Sequence, residues 1–158
     1  MNLRQAGINQ GTSKQIAWAE ALKNKSVQLI NQLSESRIQG IEEGVWASVY
    51  GMVVMRSIRL SQEAGEELSG EEEDRLEEAV TTYSHQAFQQ IQALKKAGNL
   101  GEALLGSIDQ AKFFIDTRHD KPERQLVMAI GYLATKDFGM PEIKPSERYD
   151  LGLPYHLI

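Results

Sequence analysis

The chain has 158 residues, 41% of them hydrophobic and 25% charged, with a formal net charge of −5 and no cysteine. This composition suits a folded globular protein rather than a disordered one. The length predicts one domain that buries roughly 70% of its unfolded surface. Without cysteine, disulfides, thiolate chemistry and cysteine-ligated zinc or iron–sulfur sites are excluded.

Taken in chain order, residues 1–11 read as a polar arm with no apolar signal-peptide core, so a cytoplasmic location is expected. Thr12 or Ser13 is placed to cap a first helix whose stripe runs Ile16, Ala19, Leu22, Leu29, Ile30 and Leu33. Gly40 and Gly44 weaken the helical pattern, which puts a turn around Arg37–Gly40. A second helix directs Val45, Trp46, Val49, Met52, Val53 and Leu60 inward, with Arg56 and Arg59 one turn apart on its wetter side. Its longest apolar run, Val45–Met55, contains Ser48, Tyr50 and Gly51 and falls well short of the roughly 20 residues that span a bilayer, so no membrane association is expected. With Trp46, Tyr50 and Met55 the segment is apolar around much of its circumference, which suits a central bundle helix or a dimer seam and leaves a homo-oligomer open.

Gly65 and Ser69–Gly70 end that pattern, and Ser69 with Glu72 forms a capping-box signature for a third helix. That helix carries Leu76, Val80, Tyr83, Ala87, Ile91 and Leu94, and Lys95, Lys96 and Gly98 mark its C-terminus. A fourth helix is predicted over about Gly101–Arg118, with Leu104, Ile108, Ala111 and Ile115 inward. A fifth, opened by Asp120 as cap, Pro122 and Glu123, buries Leu126, Ile130 and Leu133. Residues 139–158 contain Pro141, Pro145 and Pro154 and cannot form a regular element. Ile143, Tyr149, Leu151, Leu153, Tyr155 and Ile158 nevertheless make them too apolar for a solvated tail, which therefore lies across the bundle or binds a partner. The expected fold is all-α: one domain over 1–158, a bundle of about five helices over 12–138 and an irregular packed tail.

Charge is distributed unevenly. Nine acids (Glu63, Glu66, Glu67, Glu71, Glu72, Glu73, Asp74, Glu77 and Glu78) fall between Glu63 and Glu78 with only Arg75 to offset them, while bases outnumber acids elsewhere. Glu71–Asp74 gain from the positive end of a helix dipole, about 0.3–1 kcal/mol each when exposed. Local structure gives Glu63, Glu66 and Glu67 no such reason.

Signatures of chemistry are missing. His85, His119 and His156 have no second histidine at i+3 or i+4, and no HExxH, ExxH, GxSxG or phosphate-loop pattern occurs. The acidic run lacks the alternating spacing of a calcium loop, so no metal or cofactor is expected. The densest mixed cluster, Asp116-Thr117-Arg118-His119-Asp120, reads either as an acid–base or phosphate-binding corner or, preferably, as helix-end structure. An enzyme would require a cleft joining Asp116, Arg118 and His119 to a perturbed acid.

GTSKQIAWAEALK (Gly11–Lys23) and AKFFIDTR (Ala111–Arg118) together resemble motifs of the form KQIxWAExIR and AKFWIDNR from small uncharacterised bacterial, phage and plasmid proteins. The chain departs from them at Lys23, Phe114 and Thr117. The resemblance covers about twenty residues, so it implies a genomic setting and no mechanism. As a packing unit, Trp18 is expected to meet Phe113 or Phe114, with Glu20 or Lys14 near Asp116 and Arg118.

These readings favour a non-enzymatic interaction protein with a protein partner: an inhibitor or accessory subunit of a nucleic-acid-handling complex, using Glu63, Glu66, Glu67 and Glu71–Asp74. Direct nucleic-acid binding is the alternative, through Arg56, Arg59, Lys95, Lys96, Lys112, Arg118, Lys121 and Arg124, although these form no single basic run.

Overall fold

Helix α1 (Ser13–Asn31) begins where Thr12 Oγ1 accepts the Gln15 N–H at 3.2 Å and Gln15 Oε1 accepts the Thr12 N–H at 2.9 Å. The capping box satisfies two donors that no helical carbonyl reaches. The structure, a computed structural model, describes residues 1–149. Within them the fold is all-α: 68% of these residues are helical, and no strand forms among them.

Helix α1 stops earlier than the turn expected at 37–40. Ser34 starts a separate short helix, α2 (Glu35–Gln39), its Oγ accepting the Arg37 N–H at 3.1 Å. The chain then builds one continuous rod from α3 (Glu42–Val49), a π-helical segment (Tyr50–Met55) and α4 (Arg56–Glu63). The rod is central, packed between α5 (Gly70–Ala97) and α8 (Pro122–Asp137). Val45, Val49, Met52, Val53 and Val54 have no exposed surface. Four consecutive residues, 51–54, are buried, more than one face of a 3.6-residue helix supplies, and the i→i+5 turn coincides with that run.

The rod meets α8 at very short range. Ser48 Oγ donates to the Val127 carbonyl at 2.6 Å, and a Cβ on Gly131 would lie 2.3 Å from Ser48 Oγ. Residues 124–135 of α8 are all buried, so this helix is enclosed around its circumference for three turns. Pro122 opens it as expected, but the cap position belongs to Lys121, whose side chain makes no cap bond, and not to Asp120.

Two further expectations fail for tertiary reasons. The fourth helix is split into α6 (Leu100–Leu105) and α7 (Ala111–Asp116). The link between them pairs with the arm, which is docked rather than solvated: Ala6 N–H donates to Gly106 O (2.8 Å), Asn9 N–H to Asp109 O (2.9 Å) and Ala111 N–H to Gln10 O (3.0 Å). Ile8 is buried at that contact. Trp46, expected inward, is 40% exposed and stacks on Tyr50 instead, with ring centroids 5.0 Å apart.

Helix α5 ends as its sequence dictates, with Lys95 and Lys96 in the last turn and Gly98 at φ +79°, a conformation that favours glycine. From Gly139 the chain runs irregularly back over the bundle, burying Ile143 and Tyr149. Leu151, Leu153, Pro154, Tyr155, His156 and Ile158 lie outside the described residues. No helix among the described residues is long and apolar enough to cross a membrane.

Because the rod and α8 leave no room for a methyl group, Gly131→Ala is expected to lower stability by about 1–3 kcal/mol in urea denaturation. Gly70→Ala, where a Cβ meets nothing within 4 Å, should leave it unchanged or slightly raised.

Candidate functional site

The acidic block runs from Glu63, the last residue of α4, through the turn between α4 and α5 and into the third turn of α5. Ser69 caps α5 by accepting the Glu72 N–H at 3.1 Å. The reciprocal half of the box is absent: Ser69 Oγ donates to Glu72 Oε1 at 3.2 Å instead. Glu71 reaches Arg75 at 3.6 Å with both side chains largely in water, an arrangement worth little. Glu63, Glu66, Glu67, Glu71, Glu72 and Asp74 are exposed and Glu73 is half-buried. The carboxylates of Glu63, Glu66 and Glu67 form no hydrogen bond or ion pair among the described residues. Those three therefore stay as unexplained by local structure as their sequence suggests.

Beside the block stands an aromatic pair. Trp46 and Tyr50 are one helical turn apart, their rings tilted by 23°. Trp46 Nε1 donates to Thr81 Oγ1 at 3.4 Å, and Glu77 and Glu73 lie close enough to Tyr50 to act on its hydroxyl. Burial first, then those two charges, raise the Tyr50 pKa.

Arg56 is not on a wet face. It is 1% exposed and grips Glu147 with two bonds, Nε to Oε2 at 2.8 Å and Nη2 to Oε1 at 3.2 Å, while Nη2 also reaches Glu142 O at 3.1 Å. Arg59 pairs with the same carboxylate, and the Lys144 N–H donates to it at 3.0 Å. Burial pushes the Glu147 pKa up, but the bonds from Arg56, Lys144 N–H and Arg59 outweigh it and bring it down to about 2. Lys95 donates to Asn31 O at 2.8 Å, and Lys96 is exposed. Of the eight cations proposed for phosphate, Arg56, Arg59 and Lys95 are thus engaged within the fold.

The motif residues are brought together, but not as expected. Helices α1 and α7 pack against each other. Phe113 and Phe114 are fully buried and meet edge-to-face at 5.3 Å, and Phe113 also packs on Tyr132 and Tyr149. Trp18 stays 47% exposed and takes the Arg118 guanidinium 5.3 Å from its ring centre rather than a phenylalanine ring. Asp116 pairs with Lys112, one turn earlier.

A cleft of about 500 Å³ runs past Lys112, Asp116, Arg118, Asp120, Arg124 and Glu147. It joins two of the three residues an enzyme would need to a perturbed acid, but His119 is not part of its lining. Glu147 is perturbed downward, so it is ionised throughout the neutral range and has no proton to give there. No three side chains capable of holding a metal converge among the described residues.

A polar group that sequence reasoning missed ties the arm to the bundle. Asp109 accepts from Tyr132 Oη at 2.7 Å and from Lys136 Nζ at 2.5 Å, while Gln110 accepts from Tyr149 Oη at 2.6 Å and donates to Gln10 at 3.0 Å. Burial raises the Asp109 pKa, but the Lys136 and Tyr132 bonds win and lower it. Glu147 was equally hidden, because it sits between prolines in a segment without periodicity. No family model matches the chain, and neither a curated protein nor a solved structure matches it.

Glu147→Gln would strand the buried Arg56 charge and is expected to cost about 3–5 kcal/mol, whereas the double change Arg56→Met/Glu147→Leu should recover most of that loss. The depressed pKa contributes stability above the usual 4.5, on the order of 3 kcal/mol. Thermal melts of the wild type should therefore lose stability as pH falls from about 4.5 towards 2, with a smaller loss in the double variant. Phe113→Ala should cost about 3–5 kcal/mol. Trp18→Ala should cost less, about 1–2 kcal/mol, because only a half-covered ring and its cation–π contact are removed.

Proposed function

We propose that the protein is a non-enzymatic interaction protein, an inhibitor or accessory subunit that binds a component of a nucleic-acid-handling complex through its acidic end. One observation carries this reading: the carboxylates of Glu63, Glu66 and Glu67 stand exposed, with no partner among the described residues, beside the exposed start of α5. Such a face competes with phosphates for a basic groove by the same electrostatics that draw nucleic acid to that groove. The setting, a mobile element or bacterium, rests on the resemblance of the Lys14–Lys23 and Ala111–Arg118 motifs. The non-enzymatic part rests on the missing catalytic motifs and on His119 lying outside the lining of the cleft that joins Asp116 and Arg118 to Glu147.

Direct binding of nucleic acid has less support. Arg56 and Arg59 are held by Glu147 and Lys95 by a backbone carbonyl, which leaves no basic stripe of the kind a phosphate backbone needs.

The test is a parallel capture from the host with wild type and with the combined variant Glu63→Gln, Glu66→Gln, Glu67→Gln, Glu71→Gln, Glu72→Gln, Glu73→Gln, Asp74→Asn. The variant should hold the wild-type partner at least tenfold more weakly, with the difference shrinking as salt is raised. Equal affinity would end this reading. A gel-shift assay at low salt should show no complex between the protein alone and DNA or RNA; a shift that weakens steeply with salt would favour the alternative.

A further inference from the structure

The protein contains two tryptophans, and both are partly exposed, Trp18 at 47% and Trp46 at 40%. Their surroundings differ in one respect. Over Trp18 sits the Arg118 guanidinium, 5.3 Å from the ring centre. Over Trp46 and Tyr50 no lysine or arginine of the described residues is seated, although carboxylates stand beside them: Thr81, which takes the Trp46 N–H, donates to the Glu77 carbonyl at 3.0 Å, so Glu77 and then Glu73 lie one and two turns before it on α5. An aromatic face attracts cations through its quadrupole, and neighbouring carboxylates add to that attraction. The second ring pair therefore has the surroundings of a cation seat without a resident cation.

Its geometry is prepared. The indole is stacked on Tyr50 at 5.0 Å, and its N–H is turned towards Thr81 at 3.4 Å, so the ring is held from two sides. One π-turn beyond Tyr50, Met55 is 50% exposed and extends the apolar strip along the rod. The strip continues towards the α4–α5 turn that carries the acidic block. Isolated exposed apolar residues need no explanation, but a stacked pair continued by a methionine and flanked by one sign of charge has the composition of a docking surface.

We propose that the Trp46–Tyr50 face, with Met55, Glu73 and Glu77, docks a lysine- and arginine-rich segment of a partner protein, one cationic side chain lying on the ring pair. This rests on the reading of the acidic end as the binding surface and names its centre and the chemistry of its partner. Charge complementarity selects that occupant: nucleic acid is repelled by the same carboxylates, and an uncharged apolar helix leaves them unanswered.

The test uses a peptide of nine arginines as probe and a peptide of nine glutamates as control. In a Trp18→Phe background Trp46 is the sole reporter, and its emission should change saturably with the arginine peptide and not with the glutamate peptide. Trp46→Ala and Glu77→Gln should each weaken binding of the arginine peptide roughly fivefold, measured by fluorescence polarisation of the labelled peptide. Circular dichroism checks that Trp46→Ala is folded; if it is not, the Trp46 titration and Glu77→Gln decide. No saturable change at low salt would overturn the proposal. So would equal affinity of Trp46→Ala and wild type; if neutralising the acids from Glu63 to Asp74 still weakened the captured partner, the acidic-end reading would stand while the aromatic seat fell.

Discussion

The contact between α3 and α8 is the constraint on which the rest of the molecule depends. At Gly131 the two backbones come so close that a hydroxyl occupies the space a Cβ would need, and Ser48 uses that hydroxyl to bond the Val127 carbonyl. Such proximity is open only to helices whose facing residues are small, and it draws the rod into the interior with α5 on its other side. Once the rod is central, nearly every residue from Val45 to Arg56 is buried, and the π-turn accompanies that enclosure. The exposed exceptions, Trp46 and Met55, mark the strip of the rod that no other element covers.

Enclosing the rod also carries Arg56 into the core. A buried guanidinium without a counter-charge costs several kcal/mol, and here a two-bond grip on Glu147 offsets that cost. The carboxylate arrives from an irregular segment, so the ion pair fixes where the chain runs after α8. The buried Ile143 and Tyr149 lie either side of it, and Tyr149 extends the ring cluster of Phe113 and Tyr132. Gln110 and Asp109 complete the arrangement by fastening Tyr149, Tyr132 and the N-terminal arm to the α6–α7 link. Polar and aromatic groups from segments far apart in sequence thus close one side of the bundle.

What remains for function is the charge left over once the structural pairs are made. The cations that looked available in the sequence are largely spent inside the fold, on Glu147, on the Asn31 carbonyl, on Asp116 and on the Trp18 ring. The acids of the α4–α5 turn are not. This asymmetry is why the acidic end, and not a basic face, is the side from which we argue for a partner. It also separates the two exposed tryptophans, one already holding a cation and the other beside carboxylates with its rings open.

Much of the helical plan was legible in the residues because its causes are local. Thr12, Ser69, Pro122 and Gly98 act through their own backbone neighbours, and the apolar spacing along α5 reports a single buried stripe. The exposure of Glu63, Glu66 and Glu67 was legible for the same reason: nothing near them in sequence offers a partner. The faces of the rod were not legible, because a helix buried on all sides and passing through a π-turn has no single stripe to count. Nor were the break between α6 and α7 and the docking of the arm, since both depend on carbonyls of Gly106 and Asp109 meeting donors about a hundred residues away in the chain. By itself the sequence determined that this is an all-α protein with one strongly acidic end. Which charges that protein spends on its own core, with Arg56 and Glu147 joined across 91 positions, was decided only by the tertiary structure, because a counter-ion is chosen by proximity in space and sequence spacing does not encode it.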